Sequence, residues 1–432
     1  MHFFYPSTIT RVIARYLPTL FLAVSLAGGA ARAQDIEAYV KQNTVSIKTI
    51  SPDSSDYADL ETFGNAIGDA RIVMLGEQDH GDAPAFLAKT RLIRYLHEKK
   101  GFNVLAFESD FFGLNQGWDQ ADKSNIQFFF QGNIFPVWTF CSACNYLFKQ
   151  YIPQTQTTAT PIQVSGFDMQ LVLQFSNTFL TKKLDSLLQS HNLPITREPD
   201  YATKILPLVD SCKRTKLSRE SMYDEQHNYL LRIRDELGSI LSPTDFWLIL
   251  VDNLLAENMQ HRPANNIHAV INYRDEQMAK NLLWLATVKY SKEKIIVWAQ
   301  NGHISRYGQF NDSWQNEMHY MGRVFDEIKP ASLKTYSLGF TSFEGEAGRV
   351  SGGNIFKVDK PRKNAYENWV PPSFDYAFTD FTAFRITNPS AKVEFRLKGF
   401  GHNYLQNGSE WHKIFDGLFF IRRMYSCIKK NP

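Results

Sequence analysis

Charge of either sign is in short supply. The 432 residues carry 47 Lys and Arg against 44 Asp and Glu, a formal net charge of +3. So small an excess gives no electrostatic case for nucleic acid or a membrane surface as a partner. Long apolar runs are missing too. The N-terminal run, Leu17 to Ala27, is too short for a bilayer span and contains Pro18. No later stretch is long and apolar enough to span one.

Cysteine is scarce, with four in the chain. Two form the motif Cys141-Ser-Ala-Cys144, and a C-x-x-C with no second pair is weak ground for zinc. The motif does not open a helix after a strand, as a thioredoxin-type site does. It lies in a stretch of amphipathic helical spacing: Trp138, Cys141, Tyr146, Leu147 and Tyr151. It therefore reads as core-facing, or as a disulfide made in an exporting compartment. Several catalytic signatures are absent. Without G-x-S-x-G there is no serine nucleophile elbow. There is no G-x-G-x-x-G after a strand, no Walker loop and no H-E-x-x-H. Repeats and low-complexity tracts are lacking as well.

What is present begins with a leader. Arg11 and Arg15 precede the apolar run, and Ala31-Arg32-Ala33 is an A-x-A cleavage pattern. Residues 1–33 are expected to be a secretory signal peptide cut after Ala33, giving an exported, periplasmic chain. No Cys follows the cut, which argues against a lipoprotein. The leader holds three Arg and no acid, so its removal takes the formal charge from +3 to 0. The remaining residues can bury a large core. The 33 Phe and 19 Tyr suit that core and an aromatic-lined pocket.

The chain is organised around Arg71-Ile-Val-Met-Leu-Gly-Glu-Gln-Asp-His-Gly81. Ile72 to Leu75 read as a short buried strand. Gly76 ends it, and Glu77, Asp79 and His80 follow within four residues. A helical pattern starts at Pro84, runs basic along one side (Lys89, Arg91, Arg94, Lys99, Lys100) and stops at Gly101. The next strand, Asn103 to Asp110, follows at once and carries Glu108 near its end. Strand, helix, strand with short links implies a parallel βαβ unit. Neighbouring parallel strands would bring Glu77 and Glu108 to one edge. In open α/β sheets, ligands bind at the carboxyl ends of the strands.

Two further strands end in the same way. Ile162 to Asp168 closes on Asp168, and Lys294 to Trp298 is followed by a turn and His303. Between them, amphipathic stretches at 172–190, 222–240, 244–262 and 272–290 form a helical block. In the last, Arg274, Met278 and Asn281 share a face, and Arg274 beside Asp275 reads by default as a surface pair. Residues 345–348 read as a loop. Strands are expected at 333–341, 376–378, 392–397 and 415–421. The fold class is therefore α/β: a parallel or mixed central sheet flanked by helices. A large helical insertion, about 170–290, is expected as a subdomain over the sheet edge, forming a lid or one wall of a cleft.

A strand-end Glu alone can cap a helix, and a lone His is more often structural. Four strand ends that carry ionisable groups make a site. A His poised near neutrality beside a carboxylate is what a general base needs. One His takes a proton from water, a carboxylate fixes its tautomer, and Arg or the other His stabilises an oxyanion. Two His and two Glu could equally hold a divalent metal that activates the water. Composition does not separate these.

The motifs Leu-Gly-Glu77-Gln-Asp-His80-Gly81, Phe-Glu108-Ser-Asp, Gly166-Phe-Asp168, Arg274-Asp275-Glu-Gln-Met278-Ala-Lys-Asn281, Trp298-Ala-Gln-Asn-Gly-His303 and Phe415-Asp416-Gly-Leu together resemble the erythromycin esterase family. Their order and spacing span most of residues 65–425. The resemblance implies an ester hydrolase that opens macrolide lactones without a serine nucleophile and confers macrolide resistance. It implies His80 as general base for water, with Glu77 and Glu108 orienting and polarising. His303 and Arg274 would complete the catalytic set, and Lys89, Asp168 and Asp275 would bind substrate. Lys89 stands where the family usually has Arg, Gln300 where it commonly has His, and Asp79 where Thr or Ser is more frequent. The implied partner is a small ester or lactone, with no cofactor. A second reading, of another class, is a non-catalytic metal- or haem-binding protein, in keeping with a similarity in outline to chelatase-like proteins.

Overall fold

The computed structural model describes residues 35–213, 217–263, 265–306, 313–350 and 354–427. The leader read at 1–33 lies outside them. The described strands are β1 (Val45–Ile47), β2 (Ile72–Leu75), β3 (Phe102–Asp110), β4 (Gln163–Asp168), β5 (Lys294–Trp298), β6 (Thr335–Ala347), β7 (Phe356–Lys357), β8 (Tyr376–Asp380) and β9 (Gly417–Met424). They form one mixed sheet in the order β1-β8-β9-β6-β2-β5-β3-β4, with β7 paired to β6. Pairings from β9 through β4 are parallel, and β8 runs antiparallel to both β9 and β1.

Parallel strands covered on both faces read as continuous apolar runs, and β2 is buried at all four residues. Successive side chains point to opposite faces. Ile72, Met74, Val104, Ala106, Ile295 and Val297 therefore pack on one side, with Leu250, Leu254, Met278 and Leu282. Val73, Leu75, Leu105, Phe107, Ile296 and Trp298 pack on the other, with Phe86, Leu92, Ile93 and Leu96. Those last four belong to α1 (Ala83–Lys100), which ends on Gly101 at φ 71° as the left-handed stop requires. This helix has no solvated basic face along its first turns. Lys89 and Arg91 are at most 2% exposed, and Arg91 pairs with Asp59, whose side chain is covered.

The expectation that β2 and β3 are direct neighbours is corrected. β5 lies between them, with Ile295 opposite both Ile72 and Val104. A one-helix connection closes over an intervening strand as readily as over none. The apolar run Ile295-Ile-Val-Trp298 takes a central place in the sheet. His303 is thereby delivered between the ends of β2 and β3.

Between β4 and β5 come α2 (Gln174–Ser190), α3 (Glu220–Gly238), α4 (Phe246–Gln260) and α5 (Ile267–Trp284). After β5 come α6 (Asn301–Ile304) and α7 (Met321–Ile328). No helix among the described residues is long and apolar enough to cross a membrane.

Three local expectations are also corrected. Residues 392–397 make only isolated bridges, Ala365 with Arg396 and Phe395 with Ser409. Among the described residues no strand runs alongside them, so the alternation of Lys392 to Leu397 is met by these single bridges alone. Strand β6 continues through the predicted loop to Ala347, with Gly345 at φ 119°. Finally, the segment around Cys141 is not one helix. It is a short α-turn at Pro136–Thr139, a 3-10 turn at Ser142–Cys144 and a π-turn at Leu147–Tyr151. Cys141 is bonded to Cys427, 286 residues away, while Cys144 is a buried free thiol.

Candidate active site

Two clusters of ionisable groups meet at the carboxyl edge of the parallel strands. The first is centred on Glu77, two residues past β2 and fully buried. A buried carboxylate must find donors, and Glu77 has three. Its Oε1 lies 2.8 Å from His80 Nδ1 and accepts from Trp138 Nε1 at 3.0 Å. Its Oε2 accepts from Lys89 Nζ at 2.6 Å. Lys89 comes from the second turn of α1 and is itself fully buried, with Nζ also donating to the Ala299 carbonyl at 3.2 Å and lying 4.1 Å from the Trp298 ring centre. Burial pulls the Lys89 ammonium below its usual pKa, opposed chiefly by Glu77. The His80 tautomer that donates to this carboxylate has its proton on Nδ1 and its lone pair on Nε2. The His80 ring is further held edge-on against Trp138, 5.2 Å between centroids.

The second cluster joins β3, β4, α5 and α6. Arg274 reaches down from α5 and grips Asp168 with two nitrogens, Nε to Oδ1 at 3.1 Å and Nη2 to Oδ2 at 2.7 Å. The same Nη2 donates to Glu108 Oε1 at 2.8 Å. Glu108 Oε2 accepts the backbone N–H of Gln300 at 3.1 Å. His303 places Nε2 3.1 Å from Glu108 Oε1 and Nδ1 2.7 Å from Asp275 Oδ1. Burial alone would lower the His303 pKa, but Asp275 and Glu108 outweigh it and raise the value to about 10. His303 is therefore an imidazolium at neutral pH. Burial likewise works to raise the Glu108 pKa, yet His303 and Arg274 hold it well below the usual carboxylate range.

The clusters touch where His80 Nε2 stands 3.9 Å from Glu108 Oε1. That is too long for a direct hydrogen bond and short enough for one water to bridge. A cavity of about 440 Å³ opens beside this edge. Arg274, Asp275, Gln300 and His303 are among its polar lining residues and Val270, Ile271, Tyr320 and Phe400 among its apolar and aromatic ones, while His80, Glu77 and Glu108 stand outside the lining.

All eight candidate residues thus fall into one connected network. Glu77, His80 and Lys89 form the first cluster, and Glu108, Asp168, Arg274, Asp275 and His303 the second. The expected surface pairing of Arg274 with Asp275 is replaced. Both are held inward by different partners, because the sheet edge offers buried counter-charges that solvent cannot. The metal alternative would need His80, His303, Glu77 and Glu108 around one point. Among the described residues no group of three or more His, Cys, Asp or Glu side chains is arranged to hold a metal ion. Lys89 and Arg274 take the carboxylate oxygens such an ion would use.

Sequence reasoning missed Trp138, the Gln300 N–H and the Cys141–Cys427 bond. Only Trp138 left a signal. A buried Trp seeks an acceptor for its N–H, but nothing in the chain named Glu77 as that acceptor.

Comparison with known proteins gives the family and the fold. The family model for erythromycin esterase matches residues 97–423. A Bacillus subtilis (strain 168) protein named as a hydrolase, YbfO, is 26% identical over 362 residues, covering 78% of this chain and 80% of the relative. An Escherichia coli erythromycin esterase type II is 24% identical over 432 residues, covering 90% of this chain and 97% of the relative. A solved mutant erythromycin esterase, EreC, in its open conformation superposes with a TM-score of 0.66 at 16% identity, covering 89% of this chain and 98% of that one. The fold, and a family match over residues 97–423, lead to one conclusion: this chain belongs to the erythromycin esterase family.

Proposed function

We propose that the protein hydrolyses an ester or macrolide lactone with water activated by His80, and that it uses no serine nucleophile. The observation that carries the proposal is the state of His80. Its Nδ1 is anchored on a buried carboxylate and its Nε2 is free toward Glu108, 3.9 Å away. A water bridging His80 Nε2 and Glu108 Oε1 gives up a proton to Nε2 as it attacks the ester carbonyl. Glu77 stabilises the imidazolium that forms, and Lys89 and Trp138 hold Glu77 aimed at it. The carbonyl oxygen becomes negative in the tetrahedral intermediate. Arg274 and the imidazolium of His303 are the cations at hand, and preorganised charge of this kind supplies most of such catalysis. The proton on His80 then passes to the departing alkoxide, giving an acid and an alcohol, which remain one hydroxy acid when the substrate is a lactone.

Similarity to a named erythromycin esterase makes a macrolide lactone the first substrate to test. Resistance to that antibiotic is the expected consequence in a host. The Cys141–Cys427 disulfide supports an exported location, since such bonds persist in oxidising compartments. The chain from residue 34 onward, with 170–290 as a helical subdomain, is proposed as the folded enzyme.

The test is incubation of the chain beginning at residue 34 with a 14-membered macrolide and a panel of simple esters, with product masses recorded. One added water, unaffected by a chelator, is expected. No added water on any compound overturns the proposal, and loss of turnover in the chelator replaces it with a metal-activated water.

A further inference from the structure

The last residues described, Tyr425 to Cys427, do not simply trail off the sheet. They run antiparallel along the turn that carries the base. The Ala83 N–H donates to the Tyr425 carbonyl at 3.2 Å, and the Cys427 N–H donates to the Gly81 carbonyl at 2.8 Å. Gly81 is the residue after His80. A Cβ at Gly81 would come within 2.0 Å of the Gly348 carbonyl oxygen, so this turn is also closely packed from the β6 side. Cys427 then crosses to Cys141. Cys141 follows the short turn that holds Trp138, and its N–H donates to the Trp138 carbonyl at 3.1 Å. Trp138 is the donor to Glu77 Oε1 and the edge-on neighbour of His80.

We propose that the Cys141–Cys427 disulfide is a positioning device for His80, tying the Trp138 segment to the Gly81 turn so that the oxidised chain holds the Glu77–His80 base in register. The proposal rests on His80 being the general base. Without the covalent tie, the two segments that bracket the imidazole meet only through non-covalent contacts. The short helical pieces around Trp138 have little regular structure of their own to hold them: an α-turn of four residues and a 3-10 turn of three. Cys144 does not compete for either partner, since burial raises its thiol pKa well above the usual value and keeps it protonated.

The test compares three forms of the chain: oxidised, reduced by dithiothreitol (which ends as its cyclic disulfide while two thiols form) and Cys427→Ser. Each is assayed for ester turnover well below its own melting temperature. Small displacements of reacting groups lower rates by about tenfold to 100-fold. That loss is expected in kcat for both the reduced chain and Cys427→Ser, with KM within about twofold. The acid limb of the kcat pH profile should also move, because the Glu77 contact sets the basicity of His80 Nε2. Hydrogen exchange at Ala83 and Cys427 should accelerate on reduction. Unchanged kcat on reduction, or a lower melting temperature with kcat and its pH profile intact, overturns the proposal. Absence of turnover in the oxidised chain refutes the base reading instead. The tie is then judged by exchange alone, and unaltered protection of Ala83 and Cys427 overturns it.

Discussion

Glu77→Gln should abolish nearly all turnover while changing one atom. In the native site Glu77 accepts three donors: His80 Nδ1, Trp138 Nε1 and Lys89 Nζ. An amide has one acceptor oxygen and one NH₂ group. If the oxygen faces Lys89, the NH₂ group points at the Trp138 N–H and at His80 Nδ1. His80 must then accept on Nδ1 and carry its proton on Nε2, where the base is needed. If the amide is reversed, the NH₂ group meets the Lys89 ammonium across 2.6 Å, and in both orientations the buried cation has lost its counter-charge. Either orientation breaks the site. Forcing the wrong tautomer in a His-carboxylate pair lowers kcat by about 10⁴, which is about 5.5 kcal/mol at about 1.4 kcal/mol per decade. Stranding one member of a buried ion pair costs about 3–5 kcal/mol of stability. The assay is kcat at saturating ester, with denaturant melts on the same samples. Adding Lys89→Met should return part of the stability, since no unpaired buried charge remains, and none of the activity. A Glu77→Gln enzyme with kcat within tenfold of the parent refutes the assignment of Glu77 as the orienting carboxylate.

Arg274→Gln leaves Asp168 and Glu108 without their shared cation. kcat/KM should fall by about 10²–10³, and Arg274→Lys should recover only part, because one ammonium cannot reproduce the two-nitrogen grip; steady-state kinetics of both variants checks this. His303 has a folded-state pKa of about 10, above its unfolded value near 6.5. Its contribution to stability is complete below about pH 6.5 and is lost as pH rises toward 10, at up to about 1.4 kcal/mol per pH unit. Urea melts between pH 6 and 9 should show this slope, and His303→Gln should flatten it. Ile271→Trp intrudes on the cavity of about 440 Å³. It should raise KM for a macrolide at least about tenfold, as loss of shape complementarity does. KM for a small acetate ester should not change, and equal effects on both would place the substrate elsewhere.

Much of this site is legible in the sequence because its parts lie at strand ends. Strand β2 is observed at the four residues its apolar run marks, and Glu77 follows from it directly. Strand β4 likewise ends on Asp168, β3 ends just past Glu108, and β5 ends a short turn before His303. What the chain does not disclose is order across the sheet. Nothing local says that β5 enters between β2 and β3, because hydrogen bonds between strands are specified by packing over long separations. Partner choice is hidden for the same reason. Arg274 is adjacent to Asp275 in sequence, yet it bonds Asp168, 106 residues away. Helix α1 shows the limit of patterning. Its Lys and Arg spacing suggests a wet face, while a buried Glu77 and the covered carboxylate of Asp59 draw Lys89 and Arg91 inward. The pairing of Cys141 with Cys427 belongs to the same class, since four cysteines do not declare their connectivity.

The central claim is that His80 is the base for a direct attack by water. The most direct measurement is single-turnover hydrolysis by the parent chain and His80→Ala, with product mass and intact protein mass read from the same quenched samples. The account predicts one water added to the substrate by the parent and no covalent acyl adduct on the protein at any time. It also predicts no product from a folded His80→Ala chain. Turnover by His80→Ala at the parent rate, or an acyl adduct that forms and decays with turnover, would contradict it.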